Sequence, residues 1–253
     1  MAYNFEDGVV LAFDKPLHWT SFNVVKIIRN NLSRRMGIKR LKVGHAGTLD
    51  PLATGVMIIC TGRATKNIDQ LQAGTKEYIA TMRLGCTTPS FDAEHSVDFT
   101  YPVAHITRQL VDETLPKFLG SIWQVPPVYS ACKVDGRRAF DYARSGEGVE
   151  LKAKELVIDE IEVLDFVGPM EAAAKGIGPE LTIRVVCSKG TYIRALARDI
   201  GEALGSGAYL TALRRTRVGD YTLADCHIPV TDVEQWALEV EIERSANAAD
   251  SQE

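Results

Sequence analysis

Residues 44–60 read GHAGTLDPLATGVMIIC, and this stretch joins a glycine-rich loop to a continuous apolar run. The run at 56–60 is bounded by glycines on both sides, the pattern of a short strand that is buried on both faces. Three glycines and a proline before the run let the backbone turn tightly and approach a ligand. The stretch therefore predicts a functional loop, centred on Asp50, that leads into the core of the fold.

The chain around this loop mixes strand-like and helix-like patterns. Strands are predicted at 9–13, 77–84, 156–167, 181–187 and 208–219. Helices are predicted at 20–37, 63–73, 107–119, 188–205 and 230–240. Tyr78 shares one face of its strand with apolar residues, so we expect at least half of its side chain to be buried. The strand-rich pattern favours the α+β class.

The formal charge of -4 argues against an evenly basic nucleic-acid binder, but the charges are unevenly distributed. No acid lies between residues 15 and 49, where the basic residues are Lys15, Lys26, Arg29, Arg34, Arg35, Lys39, Arg40 and Lys42. The final dozen residues are polar and acidic, which predicts a disordered tail. Two interpretations of the basic helix at 20–37 stay open: a solvated surface, or a phosphate-contacting edge that continues into the cations at 39–42.

Composition also disfavours several classes of function. The five cysteines form no CxxC pair and the five histidines show no metal-ligand spacing, so we expect no metal site. A signal-peptide pattern is absent, and no apolar run approaches the twenty or so residues of a membrane helix, so we expect a cytoplasmic protein without membrane contact. No P-loop or dinucleotide fingerprint supports phosphate-donor or redox chemistry.

Two further features point to RNA. Residues 121–154 carry two prolines, two tyrosines and six basic residues, and we interpret them as an extended excursion from the core. Rings that stack on bases and cations that meet phosphates suit RNA, although an ordinary solvated loop is the alternative. Arg194 lies in the first turn of the helix at 188–205, where a cation opposes the helix dipole, so a carboxylate or phosphate is expected to face it.

Six segments carry a recognisable pattern in order: DKPLHWTSF (14–22), GHAGTLDPLATGVMIICTGRATK (44–66), GTKEY (74–78), QVPPVYSACKVDGRRAFDYAR (124–144), CSKGTYIRALARDIGEALG (187–205) and LTALRRTRVG (210–219). Together they resemble the bacterial tRNA pseudouridine-55 synthases, the TruB family, over about residues 8–230. The resemblance implies the pseudouridine synthase fold, a large, mixed, mainly antiparallel sheet flanked by helices, with 121–154 as an RNA-clamping thumb. It implies a catalytic domain at 1–230, followed at 231–253 by a short helix and the tail.

The implied reaction is the isomerisation of uridine 55 in the T loop of tRNA to pseudouridine, without a cofactor. The glycosidic bond breaks, the base rotates, and C5 is joined to the sugar. Asp50 resembles the essential carboxylate, which attacks the ribose or assists base departure; both routes stay open. The implied partner is the T stem-loop of tRNA, with no obligatory protein partner, and we expect a monomer.

The resemblance assigns further roles around Asp50. Tyr78 would stack on the flipped uracil and take part in proton transfer at C5, while Arg194 would pair with Asp50. His45 would help to keep the target nucleotide turned out of the loop. Tyr192 and Leu213 would line the base pocket. The other substrate-binding residues implied are Lys15, Gly44, Gly47, Thr48 and Leu49.

The sequence departs from the family pattern in two places. Many relatives have glycine where His18 stands and aspartate where Asn23 stands, which would give the first turn a different shape. Many relatives also continue into a C-terminal RNA-binding PUA domain, whereas only 23 residues follow Val230. Weaker tRNA binding is the hypothesis that this difference motivates.

Three alternatives accompany this interpretation. Asp50-Pro51 would also suit the start of a helix, with aspartate as N-cap and proline at the first helical position. A non-catalytic RNA-binding or RNA-folding protein would use the same basic face. A phosphate-handling enzyme would use the loop at 44–55 as an anion cradle, but no lysine follows at P-loop spacing and the carboxylate repels phosphate.

Overall fold

The computed structural model describes residues 2–243 of the chain, so the tail predicted beyond residue 243 lies outside the described residues. The strands are β1 (Val10–Lys15), β2 (Val43–His45), β3 (Ala53–Thr61), β4 (Lys76–Leu84), β5 (Cys86–Thr87), β6 (Phe99–Thr100), β7 (Gly120–Gln124), β8 (Lys133–Val134), β9 (Arg137–Arg138), β10 (Lys154–Val167), β11 (Glu180–Cys187), β12 (Ala208–Val218), β13 (Tyr221–Thr222) and β14 (Cys226–Pro229). The α-helices are α1 (Ser21–Met36), α2 (Ile68–Ala73), α3 (Arg108–Thr114), α4 (Ala139–Ser145), α5 (Pro169–Ala174), α6 (Ile193–Ala203) and α7 (Val233–Glu239). Short 3-10 helices span Gly62–Asn67, Leu115–Phe118, Leu223–Asp225 and Val230–Asp232.

The main sheet is mixed and mainly antiparallel. Its strand order is β14-β1-β3-β12-β4-β11-β10-β7, with β2 added to β3 and β13 to β12. β14 runs parallel to β1, whereas β1 and β2 run antiparallel to β3, and β10 runs antiparallel to both β7 and β11. The α+β class and the large sheet predicted from the sequence are confirmed.

The chain divides into two compact units, the first holding residues 1–76 and 214–253 and the second residues 77–213. In the first unit, α1 and α7 pack against β1 and β3 around a core that includes Leu11, Phe13, Val24, Ile28, Leu32, Met57, Ile59 and Val233. The hydroxyl of Thr20 caps the start of α1 by accepting from the Asn23 N–H at 3.1 Å, and Gly37 ends the helix in the left-handed conformation. The helix predicted at 20–37 is therefore confirmed.

Two predicted elements of the first unit have different bounds. β3 begins at Ala53, three residues before the apolar run, because Gly55 is paired with Lys15 of β1. The helix predicted at 63–73 starts as a 3-10 turn at Gly62–Asn67 and becomes α-helical only in α2. β14 was not predicted.

In the second unit, buried side chains alternate along β4, and the exposed fraction of Tyr78 is 8%, which confirms its expected burial. α6 buries the apolar positions that its sequence spacing predicted, among them Leu196 and Ile200. The helix predicted at 107–119 divides after α3, and a 3-10 turn follows that contains Pro116. Proline lacks the backbone N–H that a continuing α-helix uses.

The segment predicted as a thumb begins and ends in the main sheet. Gln124 of β7 pairs with Lys154 of β10, so residues 121–124 belong to the sheet and the excursion covers residues 125–153. The excursion contains the β8–β9 hairpin and α4. Asp135 and Gly136 form the hairpin's two-residue turn, both with positive φ, as this turn requires. The RNA-clamping role of the segment stays a prediction.

Candidate active site

The backbone on both sides of Asp50 is anchored. Ser21 Oγ accepts from the Leu49 N–H at 2.9 Å and donates to the Leu49 carbonyl at 3.0 Å. The Pro51 carbonyl accepts from the His18 N–H at 2.8 Å. The loop of residues 44–55, called the Asp50 loop below, is therefore fixed at the two residues that flank the carboxylate.

The Asp50 loop contains no helix. The Asp50 carbonyl accepts from the Ala53 N–H at 3.0 Å, which closes a tight turn, and β3 begins at Ala53. The alternative in which Asp50 caps a helix is therefore wrong. The side chain of Asp50 is partly exposed, so a ligand can reach a carboxylate whose backbone is held in place.

Lys15 lies at the end of β1 and is fully buried. Its ammonium donates to the carbonyls of Trp19 at 2.7 Å, Pro16 at 2.9 Å and Pro51 at 3.4 Å. Burial lowers the pKa of Lys15 to about 8, against the opposing effect of the Asp50 charge. These bonds make Lys15 a support for the turn at Pro51, and direct contact with substrate stays a prediction.

Arg215 of β12 holds both ends of the Asp50 loop. The residue is only 1% exposed, and its guanidinium donates to the Gly47 carbonyl at 3.2 Å and the Val56 carbonyl at 2.8 Å. Gly55 has φ 106°, and a Cβ on it would lie 2.1 Å from the Arg215 carbonyl oxygen, so only glycine fits there. One buried cation thus fixes the backbone on either side of Asp50.

His45 ends β2 and is partly buried. Burial and then the charge of Arg215 lower the pKa of His45 below its ordinary value, although a hydrogen bond to Gly47 opposes them. This shift favours the neutral imidazole at pH 7, and the predicted role of His45 in keeping the target nucleotide turned out of the loop stays a prediction.

The other loop residues predicted to bind substrate differ in accessibility. Thr48 is exposed, whereas Leu49 is buried and its backbone is the part that Ser21 binds. A Cβ on Gly44 would lie 2.6 Å from Ile68 Cδ1, which explains a small residue there by packing. Their predicted contacts with substrate stay predictions.

His18 keeps a conformation that glycine would also adopt. Its φ is 66°, in the left-handed region, where residues other than glycine are strained by roughly 1 kcal/mol. Histidine at this position therefore costs some stability relative to glycine, and its N–H donates to the Pro51 carbonyl.

The second unit contains Tyr78, Arg194, Tyr192 and Leu213. Arg194, the second residue of α6, is buried and donates to the carbonyls of Ser90 at 3.0 Å and Tyr129 at 2.8 Å. Its Nε lies 3.6 Å from Oδ2 of Asp92, which is also buried. A carboxylate does face the cation at this helix start, as expected. The predicted pairing with Asp50 stays a prediction.

Asp92 was missed from the sequence. Its Oδ1 accepts from Ser90 Oγ at 2.6 Å and from the Glu94 N–H at 3.0 Å, and its carbonyl accepts from Thr88 Oγ1 at 2.6 Å. Phe91 beside it has φ 57°, a rare conformation for an aromatic residue. The carboxylate thus orders the strand-to-strand connection that holds Arg194. The sequence offered only an indirect signal for Asp92, namely that Arg194 at the start of its helix was expected to face a carboxylate or phosphate.

Tyr192 precedes α6 and lies beside the predicted thumb. Its N–H donates to Oε1 of the buried Gln124 at 2.9 Å. Burial raises the pKa of Tyr192, and a hydrogen bond with Ser130 opposes this shift. Leu213 of β12 is partly buried, so it can present an apolar surface to a ligand.

Cations and rings lie together in residues 125–153. Arg138 and Arg144 are exposed and approach the ring of Phe140, with their Cζ atoms 5.8 and 5.1 Å from its centroid. Arg137 lies over Tyr142, with 4.3 Å between Cζ and the ring centroid. Exposed guanidinium groups beside aromatic rings suit contact with nucleic acid.

No helix within residues 2–243 is long and apolar enough to cross a membrane. In the same part of the chain, histidine, cysteine, aspartate and glutamate side chains form no group of three or more that could hold a metal ion.

Two family models cover most of the chain. The model described as "TruB family pseudouridylate synthase (N terminal domain)" matches residues 34–193, and that described as "tRNA pseudouridylate synthase B C-terminal domain" matches residues 194–247. The fold and these matches define an enzyme of the pseudouridine synthase class, an RNA-modifying isomerase. The chain belongs to the TruB family, as its motifs predicted.

Similar proteins cover nearly the whole chain. A tRNA pseudouridine synthase B of Phocaeicola vulgatus is 63% identical over 96% of this chain and 99% of its own length. That of Bacteroides thetaiotaomicron is 64% identical over 95% and 97%. Among solved structures, the chain resembles "Crystal Structure of a Cbf5-Nop10-Gar1 Complex" with TM-score 0.61 and 29% identity, over 87% of this chain and 51% of that one. It thus spans about half of that solved chain.

Proposed function

We propose that this protein isomerises uridine 55 in the T loop of tRNA to pseudouridine, with Asp50 as the essential carboxylate. Membership of the TruB family supports the isomerisation, and the names of the relatives support tRNA as the substrate. The observation that carries the proposal is the anchoring of Asp50. Its two neighbours are bound by Ser21, His18 and Lys15, so its carboxylate is presented on a fixed backbone.

A carboxylate held in this way can be aimed at one atom of a bound nucleotide, and such positioning contributes strongly to rate. Asp50 either attacks the ribose or assists departure of the base, and both routes remain compatible with the geometry. Substrate and product contain the same atoms in the same oxidation state, so the reaction needs no cofactor.

The other residues that the resemblance implies would receive the base. Tyr78 would stack on uracil and take part in proton transfer at C5, and Tyr192 and Leu213 would line the pocket. Arg194, already held by two carbonyls and Asp92, would pair with Asp50. His45, neutral at pH 7, would help to keep the nucleotide unstacked. A monomer acting in the cytoplasm on tRNA alone is the simplest setting for this reaction.

The rival phosphate-handling function is not favoured by the loop. An anion cradle needs unpaired backbone N–H groups. The N–H groups of Ala46, Leu49 and Ala53 already donate to Ile58, Ser21 and Asp50. A non-catalytic RNA-binding protein remains the competing hypothesis, and the assay below distinguishes it.

The test is incubation of the protein with an unmodified tRNA transcript, without cofactor, followed by mapping of pseudouridine. We expect product at position 55 alone. Asp50→Asn should reduce the rate at least about a thousandfold while tRNA affinity and melting temperature stay close to wild type. Asp7→Asn, which changes an exposed carboxylate of the same unit, is the matched control and should retain full activity.

Each outcome of this assay is informative. Absence of product would refute the proposed function and favour the RNA-binding protein. Full product from Asp50→Asn would refute the role of Asp50 as the essential carboxylate. Product at another uridine would retain the chemistry and refute the T-loop assignment.

A further inference from the structure

Three exposed cations follow α1. Lys39, Arg40 and Lys42, called the basic loop below, connect that helix to β2, and their side chains all face solvent. Leu41 lies between them and is buried, and its N–H donates to Ser33 Oγ at 2.9 Å. The loop therefore presents its charges on a backbone that is pinned at its centre.

The arginines of α1 are engaged differently. Arg29 donates to the Val43 carbonyl at 3.1 Å, and Arg35 donates to the Ala237 carbonyl. Arg34 lies 3.5 Å from Glu234 of α7. These cations bind other parts of the protein, which favours the interpretation of the helix face as ordinary protein surface.

The basic loop lacks such partners. Among residues 2–243, no acidic side chain forms an ion pair with Lys39, Arg40 or Lys42 at a distance of 4.0 Å or less. No acid occurs between residues 15 and 49 of the sequence. A cluster of cations without an acidic partner in the protein is typical of a surface that binds a polyanion such as a nucleic acid.

The loop also lies close to the Asp50 loop. β2 joins them directly, and Lys42 and His45 are three positions apart, a distance of about 10 Å along an extended strand. A polynucleotide whose nucleotide reaches the Asp50 loop carries further phosphates within this range, so a neighbouring phosphate can come into direct contact with the basic loop. At contact distance the attraction is screened by salt less than it is beyond the Debye length of roughly 8 Å.

We infer that the basic loop binds backbone phosphates of the RNA substrate beside the reacting nucleotide. The inference rests on the proposed function for the identity of the RNA. Exposed cations that contact phosphates set affinity and orientation and do not read sequence. The loop should therefore contribute to binding of tRNA and leave the chemical step unchanged.

The experiment compares wild type, the triple variant Lys39→Gln/Arg40→Gln/Lys42→Gln, and Arg34→Gln as matched control, since Arg34 is exposed but paired with Glu234. Binding of unmodified tRNA is measured between low and high salt, together with kcat at saturating tRNA. For the triple variant we expect the slope of log affinity against log salt to fall by roughly 0.7 to 0.9 for each phosphate that the protein no longer neutralises. Its affinity at low salt should fall about tenfold or more, with kcat and melting temperature unchanged.

A salt slope and affinity equal to those of Arg34→Gln would overturn the inference. A fall in kcat without a change in slope would also overturn it, because the loop would then act on the chemistry. The two proposals fail separately. Absence of pseudouridine in wild type refutes the proposed function, whereas salt-dependent binding that is weakened in the triple variant would still support an RNA interface at this loop.

Discussion

The Asp50 loop and residues 125–153 are both irregular, but they are held by different kinds of interaction. The Asp50 loop is bound by side chains from distant parts of the sequence, namely Ser21, Lys15 and Arg215, and all three are buried. The tip of the other segment is held mostly by itself. Arg137 binds Glu147, Ser145 and the Asp141 carbonyl, all within ten residues and near solvent.

This difference matches the work that each region is proposed to do. A carboxylate that acts on one bond must be held within a fraction of an ångström, which requires support from several buried elements. A segment that closes on RNA must change shape at low cost, which local and exposed interactions permit. Two irregular segments can therefore differ in rigidity. A segment held by buried side chains from distant parts of the sequence is more rigid than one held by exposed side chains of its own.

Among the variants that test this difference, Arg215→Met is expected to lower the free energy of unfolding most. The variant leaves the Gly47 and Val56 carbonyls buried without their donor, and bonds to a charged donor are each worth about 1.5–3 kcal/mol. We expect the free energy of unfolding in urea to fall by about 3 kcal/mol or more. Lysine lacks the planar guanidinium that reaches both carbonyls. The free energy of unfolding of Arg215→Lys should therefore lie between those of wild type and Arg215→Met. An unchanged free energy of unfolding would show that the loop is not held by Arg215.

A sharper comparison uses the two buried serines of α1. Ser21→Ala releases Leu49 in the Asp50 loop, and Ser33→Ala releases Leu41 in the basic loop. Each should lower the free energy of unfolding by about 1–2 kcal/mol, because a buried backbone N–H is left without its acceptor. Ser21→Ala should in addition lower kcat about tenfold or more, whereas Ser33→Ala should not.

Steady-state kinetics with tRNA would separate the two serines, because a positioning defect lowers kcat at unchanged KM. Ser21→Thr, which restores a hydroxyl, should recover part of the rate. Equal kcat values for the two alanine variants would contradict a positioning role for Ser21.

A smaller effect concerns pH. The pKa of His45 is lowered in the folded state, so the unfolded chain binds a proton more readily as pH falls through the ordinary histidine value near 6.5. Stability from this group is present above that pH and is lost below it. We expect His45→Asn to lose less stability between pH 7 and pH 5 than wild type, measured by urea unfolding at each pH. A steeper loss in the variant would mean that the sign of the shift is wrong.

The smallest effect on global stability is expected from Arg137→Ala. Its ion pair with Glu147 is largely exposed, so the free energy of unfolding should change by less than about 1 kcal/mol. Amide hydrogen exchange in residues 133–147 should nevertheless accelerate, because this side chain no longer joins the hairpin to α4. Arg138→Ala, which leaves that link intact, is the control. A loss of stability as large as that of Arg215→Met would remove the distinction between the two regions.

Periodicity predicted the elements that pack a regular apolar face, such as α1, α6 and β4. It failed where the cause lies in tertiary structure. β3 starts early because β1 pairs with its Gly55, and β14 pairs with β1 as a parallel edge strand without an apolar pattern of its own.

The candidate site was recognised from its motif and not from periodicity. Asp50 stood out because glycines and a proline surround it. Ser21 begins α1, but Thr20 caps that helix and leaves the Ser21 hydroxyl for Leu49, which the sequence alone does not show. Arg215 lies within a run of basic residues that gives no sign which of them is buried. Only the fold decides which polar side chains turn inward.

The buried amine of Lys15 can also report on local opening of the Asp50 loop. An acylating reagent reaches a lysine amine only when the amine is exposed and deprotonated, and the Lys15 ammonium is enclosed by three carbonyls. The ratio between its acylation rate in the native protein and in the denatured chain therefore measures how often the turn at Pro51 opens. The protein thus carries its own reporter of the motion that would disturb the position of Asp50.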